Sequence, residues 1–214
     1  MDNLFLAFTN PVAGVEATFN NWYDTRHVPE VLRYGRGFTG CRRFRLDAEI
    51  RHGSLYPWAY LAMYDLDYED LAAVAEKPWM QDSPPLTPFR GLLENDHVAW
   101  VYSPRGLRVT GDSASPETRP MASHLLLQWG SAPTPADVHG LQAAVSGTDG
   151  CIAARAYELA SAQRRNQVSS PWSGLVIFEV KGPDVRPPGK CQAVWAYSAV
   201  SDHVSRSAVM EIQR

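Results

Sequence analysis

The stretch from Phe19 to Leu32, Phe-Asn-Asn-Trp-Tyr-Asp-Thr-Arg-His-Val-Pro-Glu-Val-Leu, gathers the best acid and base candidates in the chain. An imidazole titrates near neutrality, so His27 is the leading general acid or base. Asp24 and Glu30, each three residues away, are within helical reach to orient or charge it. Tyr23 could donate a proton or hold an enolate oxygen, and Asn20 could position a substrate. At about 100° per residue, Asn20, Tyr23, Asp24, His27 and Val31 fall on one stripe of a helix, while Phe19, Trp22, Pro29 and Leu32 point roughly the other way. One side packs and the adjoining side carries polar groups. Pro29 cannot donate to the carbonyl of Thr25, which predicts a kink or loosened turn close to His27. The plainer reading of His27, a structural histidine on a helix surface, is kept beside the catalytic one.

Other residues extend this set as substrate-binding candidates. Tyr60 and Tyr64 share one face of a predicted strand and could polarise an oxygen, although strand aromatics are favoured for packing alone. Arg43 could grip a carboxylate or phenolate with both nitrogens, or form an ion pair with Asp24 or Glu30. Trp58 and Trp79 flank the loops of the first half and could wall an aromatic ligand site. His97, His124 and His203 have no metal-ligand spacing, so no metal is expected. Nucleotide-binding and nucleophile-elbow motifs are absent, and no cofactor is expected.

The elements that would position these groups follow from periodicity. Leu4 to Thr9 reads as a buried strand, and the helix runs from about Val15 to Arg33. Phe38 to Asp47 is a strand with Phe38, Phe44 and Leu46 on one face and Thr39, Cys41, Arg43 and Arg45 on the other. Trp58 to Leu66 is a third strand, Leu71 to Glu76 a second helix, and His97 to Tyr102 a fourth strand. After a linker-like stretch from Pro104 to Pro120, the pattern returns. Gly37 to Leu46 aligns without gaps on Gly150 to Leu159, and Ala99-Trp100-Val101-Tyr102-Ser103 on Val194-Trp195-Ala196-Tyr197-Ser198. His124 to Trp129 and Ser173 to Val180 supply the remaining strands and Pro135 to Ser146 a shortened helix. A proline-rich stretch from Gly182 to Gly189 replaces the second helix. The expected fold is α+β, with two βαββαβ units (residues 1–105 and 121–214, joined by 106–120) whose sheets face each other around a dry aromatic interior. The functional cleft is expected beside the first helix.

The chain has 214 residues, 45% hydrophobic and 20% charged, with a net charge of -3, which suits a globular protein with a proper core. No long run of one charge marks a nucleic-acid or membrane partner. No apolar run of about 20 residues and no secretion signal are seen, so a cytoplasmic location is expected. Three cysteines without close spacing argue against a disulfide framework.

With its helix matching "FNxWYDxxHxPE" at Phe19, Asn20, Trp22, Tyr23, Asp24, His27, Pro29 and Glu30, and its strand matching "GFxxxRRF" at Gly37, Phe38, Arg42, Arg43 and Phe44, the first half resembles the EthD-like branch of the dimeric α/β-barrel proteins. The resemblance covers about residues 3 to 105. The second half joins it only through the repeat, since Ala136 to Ser146 lacks equivalents of Trp22, Tyr23 and Pro29. It implies ferredoxin-like halves and a small apolar-ligand cleft. Members of that superfamily include cyclases, decarboxylases, cofactor-free monooxygenases and haem enzymes. The function expected is a cofactor-independent enzyme of the lyase or isomerase type, performing dehydration, cyclisation, isomerisation or decarboxylation on a small apolar, aromatic or polyketide-like molecule. A non-catalytic binding protein and a haem- or oxygen-dependent oxidoreductase of the same fold stay open as alternatives, as does a homodimeric state.

Overall fold

Strands that are apolar on both faces must be covered on both, and the chain meets this demand by closing its sheet on itself and laying helices outside. The computed structural model describes residues 3–51, 57–67, 69, 71–76, 83–111, 114–115, 122–163, 168–186, 188–189 and 191–211. In chain order the elements are β1 (Asn3–Thr9), α1 (Glu16–Trp22), a π-helical segment (Tyr23–His27), α2 (Val28–Tyr34), β2 (Phe38–Arg51), β3 (Tyr60–Leu66), α3 (Leu71–Glu76), β4 (Val98–Thr110), β5 (Ala114–Ser115), β6 (His124–Gly130), α4 (Pro135–Ser146), β7 (Cys151–Leu159), β8 (Gly174–Val180), β9 (Ala193–Ala199), β10 (Val204–Ser205) and α5 (Arg206–Glu211). Eight strands pair in the order β1-β3-β2-β9-β6-β8-β7-β4, every neighbour antiparallel, and β4 returns to β1. The result is an α+β protein on an antiparallel eight-stranded barrel, and closure leaves the ring without an exposed edge. Among the described residues no helix is long and apolar enough to cross a membrane.

The pairings recur in register around the ring. Leu4 stands opposite Tyr102 where β1 meets β4, and Leu125 opposite Tyr197 where β6 meets β9. Leu46 stands opposite Tyr197 at the β2–β9 seam, and Leu159 opposite Tyr102 at the β4–β7 seam. Even the short flanking pairs correspond: Val204 with Cys41 and Ser205 with Gly40, against Val109 with Ala154 and Thr110 with Ala153.

Inward-facing residues of these strands, with Trp58 and Trp172 from the segments before β3 and β8, form one aromatic interior of Phe8, Phe44, Trp58, Trp100, Trp129, Trp172, Trp195, Tyr102, Tyr157 and Tyr197 with leucines between them. Two of its phenols are satisfied by backbone: Tyr102 donates to the Trp172 carbonyl at 2.8 Å, and Tyr197 to the Trp58 carbonyl at 2.9 Å. Trp58, expected to wall an aromatic ligand site, packs into this interior. The strand begins only at Tyr60, after a bend at Ala59, so strand alternation does not govern Trp58. Its ring turns inward and its indole N–H donates to the Asp96 carbonyl at 2.8 Å.

Other boundaries also move. Phe38 leaves the face of Phe44 and joins the helix-covered layer with Cys41, because a bulge between Phe38 and Gly40 inserts one residue and reverses the alternation. Pro104 to Thr110, read as the start of a linker, continues β4 and pairs with β7. The rest of that stretch lies largely outside the described residues. Helix α5 packs on the end of α2, where Arg206 donates to the carbonyls of Arg33 and Gly35 at 3.1 Å each and meets orphan acceptors of the helix terminus.

Candidate active site

The helix beside β1 and β3 widens where it carries its chemistry. The Val28 N–H bonds to the Tyr23 carbonyl, a π-type step, immediately before Pro29, which has no N–H to give. This is the loosened turn expected from Pro29. Across it the Tyr23 and His27 rings meet edge to face with centroids 4.8 Å apart, and His27 stacks on Trp22, also at 4.8 Å. Tyr23 is buried and His27 half-buried.

The expected polar stripe divides in two. Tyr23, His27 and Val31 line a cavity of about 360 Å³, together with Phe5, Ala7 and Thr9 from β1, Tyr64 from β3 and Ala99 from β4. Asn20 and Asp24 turn instead to Arg43, which is 1% exposed. Its Nη1 donates to Asp24 Oδ1 at 2.8 Å and its Nη2 to Asn20 Oδ1 at 2.6 Å. The guanidinium lies 4.3 Å from the Tyr23 ring centroid, 5.3 Å from that of Phe19 and 5.4 Å from that of Tyr60. Arg43 therefore makes the ion pair with Asp24 weighed above, and its charge acts on the cavity through Tyr23. Tyr60 points away from the cavity as well: it donates to Glu16 and accepts from Asn20 Nδ2 at 2.9 Å. Trp79 lies outside the described residues.

Burial, opposed by Arg43, pushes the Tyr23 hydroxyl above the ordinary phenol range, and burial pushes Tyr64 up likewise. Burial also holds the Cys41 thiol well up. At neutral pH all three are uncharged, so the tyrosines meet a bound molecule as neutral hydroxyls. Burial first, and then the Glu16 carboxylate, raise Tyr60. Among the described residues no cluster of three or more His, Cys, Asp or Glu could hold a metal ion.

Sequence reasoning missed the cover of this cavity. Leu86, Phe89 and Leu93 come from the loop before β4, and His97 closes the same wall. The loop is tied down by the Glu30 carboxylate, which accepts from the Thr87 N–H at 2.7 Å and from the Thr87 hydroxyl, and by Val12 N–H to Leu92 O at 3.0 Å. Glu30 thus holds the loop. One signal for His97 was available, since it shares the parity of Ala99 and Val101, the helix-facing residues of β4. Glu30→Gln weakens the tie to Thr87, and the expected result is a raised KM with kcat little changed. Steady-state kinetics and hydrogen exchange in residues 83–97 check it.

Volume and chemistry part company here. A larger cavity of about 680 Å³ lies between α4 and the outer faces of β6, β7 and β8, in the half where no functional cleft was expected. Its ionisable lining is Asp137, engaged with Thr134 in the capping box of α4, and Cys191. It offers no acid–base pair, and the cavity beside α1 and α2 is the candidate active site.

No family model matches the sequence, and no curated protein matches it. Among solved structures, the chain is similar to an anthrone oxidase-like protein at 9% identity, with 96% of this chain and 93% of the other covered and a TM-score of 0.58. It is also similar to a protein provisionally named a monooxygenase from Fusobacterium nucleatum subsp. nucleatum, at 9% identity over 94% and 93% with a TM-score of 0.49. At such identity the likeness to the anthrone oxidase-like protein is one of fold, the antiparallel α+β barrel.

Proposed function

We propose that the chain is a dimeric α/β barrel of the EthD-like kind written in one polypeptide, two ferredoxin-like units of which the first is a cofactor-independent acid–base enzyme acting on a small apolar, aromatic or polyketide-like molecule. Support for two units comes from the strand orders β4-β1-β3-β2 and β9-β6-β8-β7, from their matching registers, and from the gapless alignment of Gly37–Leu46 with Gly150–Leu159. The observation that carries the catalytic reading is the His27–Tyr23 pair, 4.8 Å between rings, on the wall of an otherwise largely apolar cavity.

In this reading His27 takes a proton from a carbon next to a carbonyl. The C–H electron pair moves into the enolate, and the neutral Tyr23 hydroxyl donates a hydrogen bond to the oxygen that gains charge. The Arg43 cation over the Tyr23 face favours that charge. Return of the proton to another carbon gives isomerisation, and loss of hydroxide gives dehydration. Capture of the enolate by dioxygen is a second reading, which the name of the anthrone oxidase-like neighbour favours, and anthrone is accordingly the compound to try first. The test is incubation with anthrone and related carbon acids in D2O, following deuterium exchange by NMR and oxygen uptake in parallel. Exchange above the buffer rate, reduced about tenfold or more in Tyr23→Phe, is the expected result. Tight binding without exchange would make the cavity a sequestering site.

A further inference from the structure

The 680 Å³ cavity has no part in that reaction, yet it occupies the place on its side of the barrel that the candidate active site occupies on the other. Strand register allows the two to be compared position by position. Thr9 faces Tyr60 as Gly130 faces Gly174, Phe5 faces Tyr64 as Leu126 faces Phe178, and Arg43 faces Ala62 as Ala156 faces Val176. Thr9, Arg43, Tyr60 and Tyr64 thus correspond to Gly130, Ala156, Gly174 and Phe178. Each of these exchanges removes a polar group, and of the four residues Thr9 and Tyr64 line the first cavity; at a further shared lining position Ala7 corresponds to Gln128, which brings an amide to the wall of the second.

Part of that room is filled, since the Ser131 backbone lies against Gly174, but the side towards α4 is open. Gly140 sits inside helix α4 and lines the cavity, and a Cβ there would meet no atom within 4 Å. Alanine would favour the helix at that position, and a larger apolar residue would bury surface that now stands bare. Gly140 is exposed at the cavity mouth, so packing within the chain gives no reason for glycine there, and a ligand lying across α4 would have room to pass. The volume falls in the range of small-molecule sites, which run to about 1,000 Å³. Leu141, Ala144 and Phe178 make much of the wall apolar, Gln128, Ser131 and Gln192 add uncharged polar groups, and the one carboxylate, Asp137, is held by Thr134. No cationic side chain lines it to compensate an anion, and Asp137 is committed to the cap of α4.

We infer that this cavity is a second, non-catalytic binding site for a flat, uncharged, apolar molecule of the class the first cavity takes. Only the class of ligand rests on the proposed function; the site rests on its own geometry. The test is a fluorescence titration of the full chain with N-phenyl-1-naphthylamine, an uncharged apolar fluorophore, with circular dichroism on every variant. Wild type is expected to bind two equivalents. Gly140→Phe, and independently Ala144→Phe, should bind one and keep the wild-type rate of deuterium exchange. Ala7→Phe, which fills the first cavity, should also bind one. A wild-type stoichiometry of one that only Ala7→Phe abolishes would overturn the second site. Two equivalents with no exchange on any carbon acid would count against the acid–base reading and leave the second site standing.

Discussion

Replacing His27 by alanine is expected to lower kcat by roughly 10²–10⁴, the usual contribution of a positioned acid or base, while the barrel stays folded. The fold should tolerate the change because His27 is half-buried on a cavity wall, so removing its ring enlarges an existing space rather than opening a new one in the core. Its stacking on Trp22 is lost, but Trp22 keeps its edge contact with Tyr23 at 5.5 Å and with Phe89 at 6.1 Å. The loss should fall on kcat more than on KM, since a base acts mainly in the transition state. Steady-state kinetics on the substrate found by the exchange assay, with thermal unfolding of the same preparation, decide the matter. A variant of normal stability and near-normal rate would remove His27 from the mechanism, and one that fails to fold would return it to a structural role.

Trp129→Ala should give the largest loss of stability, about 3–5 kcal/mol. Trp129 is fully buried at the centre of the barrel, with ring centroids at 5.1 Å to Trp172, 5.1 Å to Trp195, 5.8 Å to Tyr102 and 5.9 Å to Phe8. Phe8, Tyr102 and Trp195 come from three different strands that the closed sheet holds in place, so the hole cannot collapse cheaply. Against a total stability of about 5–15 kcal/mol this is a large share, and it corresponds to a fall in Tm of roughly 6–20 °C for a chain of this size. Trp129→Phe should cost much less, because the indole N–H has no hydrogen-bond partner among the described residues and nothing is lost with it. Urea unfolding followed by near-ultraviolet circular dichroism measures both. Equal losses in the two variants would contradict this account.

Much of this architecture was legible because it is local or repeated. The alternation in β3 put Tyr60 and Tyr64 on one face, and both lie in the helix-covered layer. The Trp and Tyr pattern shared by β4 and β9 put Trp100, Tyr102, Trp195 and Tyr197 on corresponding faces, and all four meet in the barrel interior. Pro29, through its missing N–H, announced the widened turn at Tyr23–His27. Each of these depends on backbone geometry within a few residues, which composition and spacing determine directly.

Tertiary structure alone decided the rest. The bulge at Phe38–Gly40 reverses one side chain because β2 must match β3 on one edge and β9 on the other, a demand set by strands far away in the chain. Asn20 and Asp24 share the stripe of His27 by spacing, yet the buried Arg43 cation draws both aside, since a charge taken out of water must find its partners. The loop carrying Leu86, Phe89 and Leu93 has no periodicity to read, and its place over the cavity is set by Glu30 and Thr87. Spacing along a chain determines which face a residue takes, but what meets that face is settled only when the barrel closes.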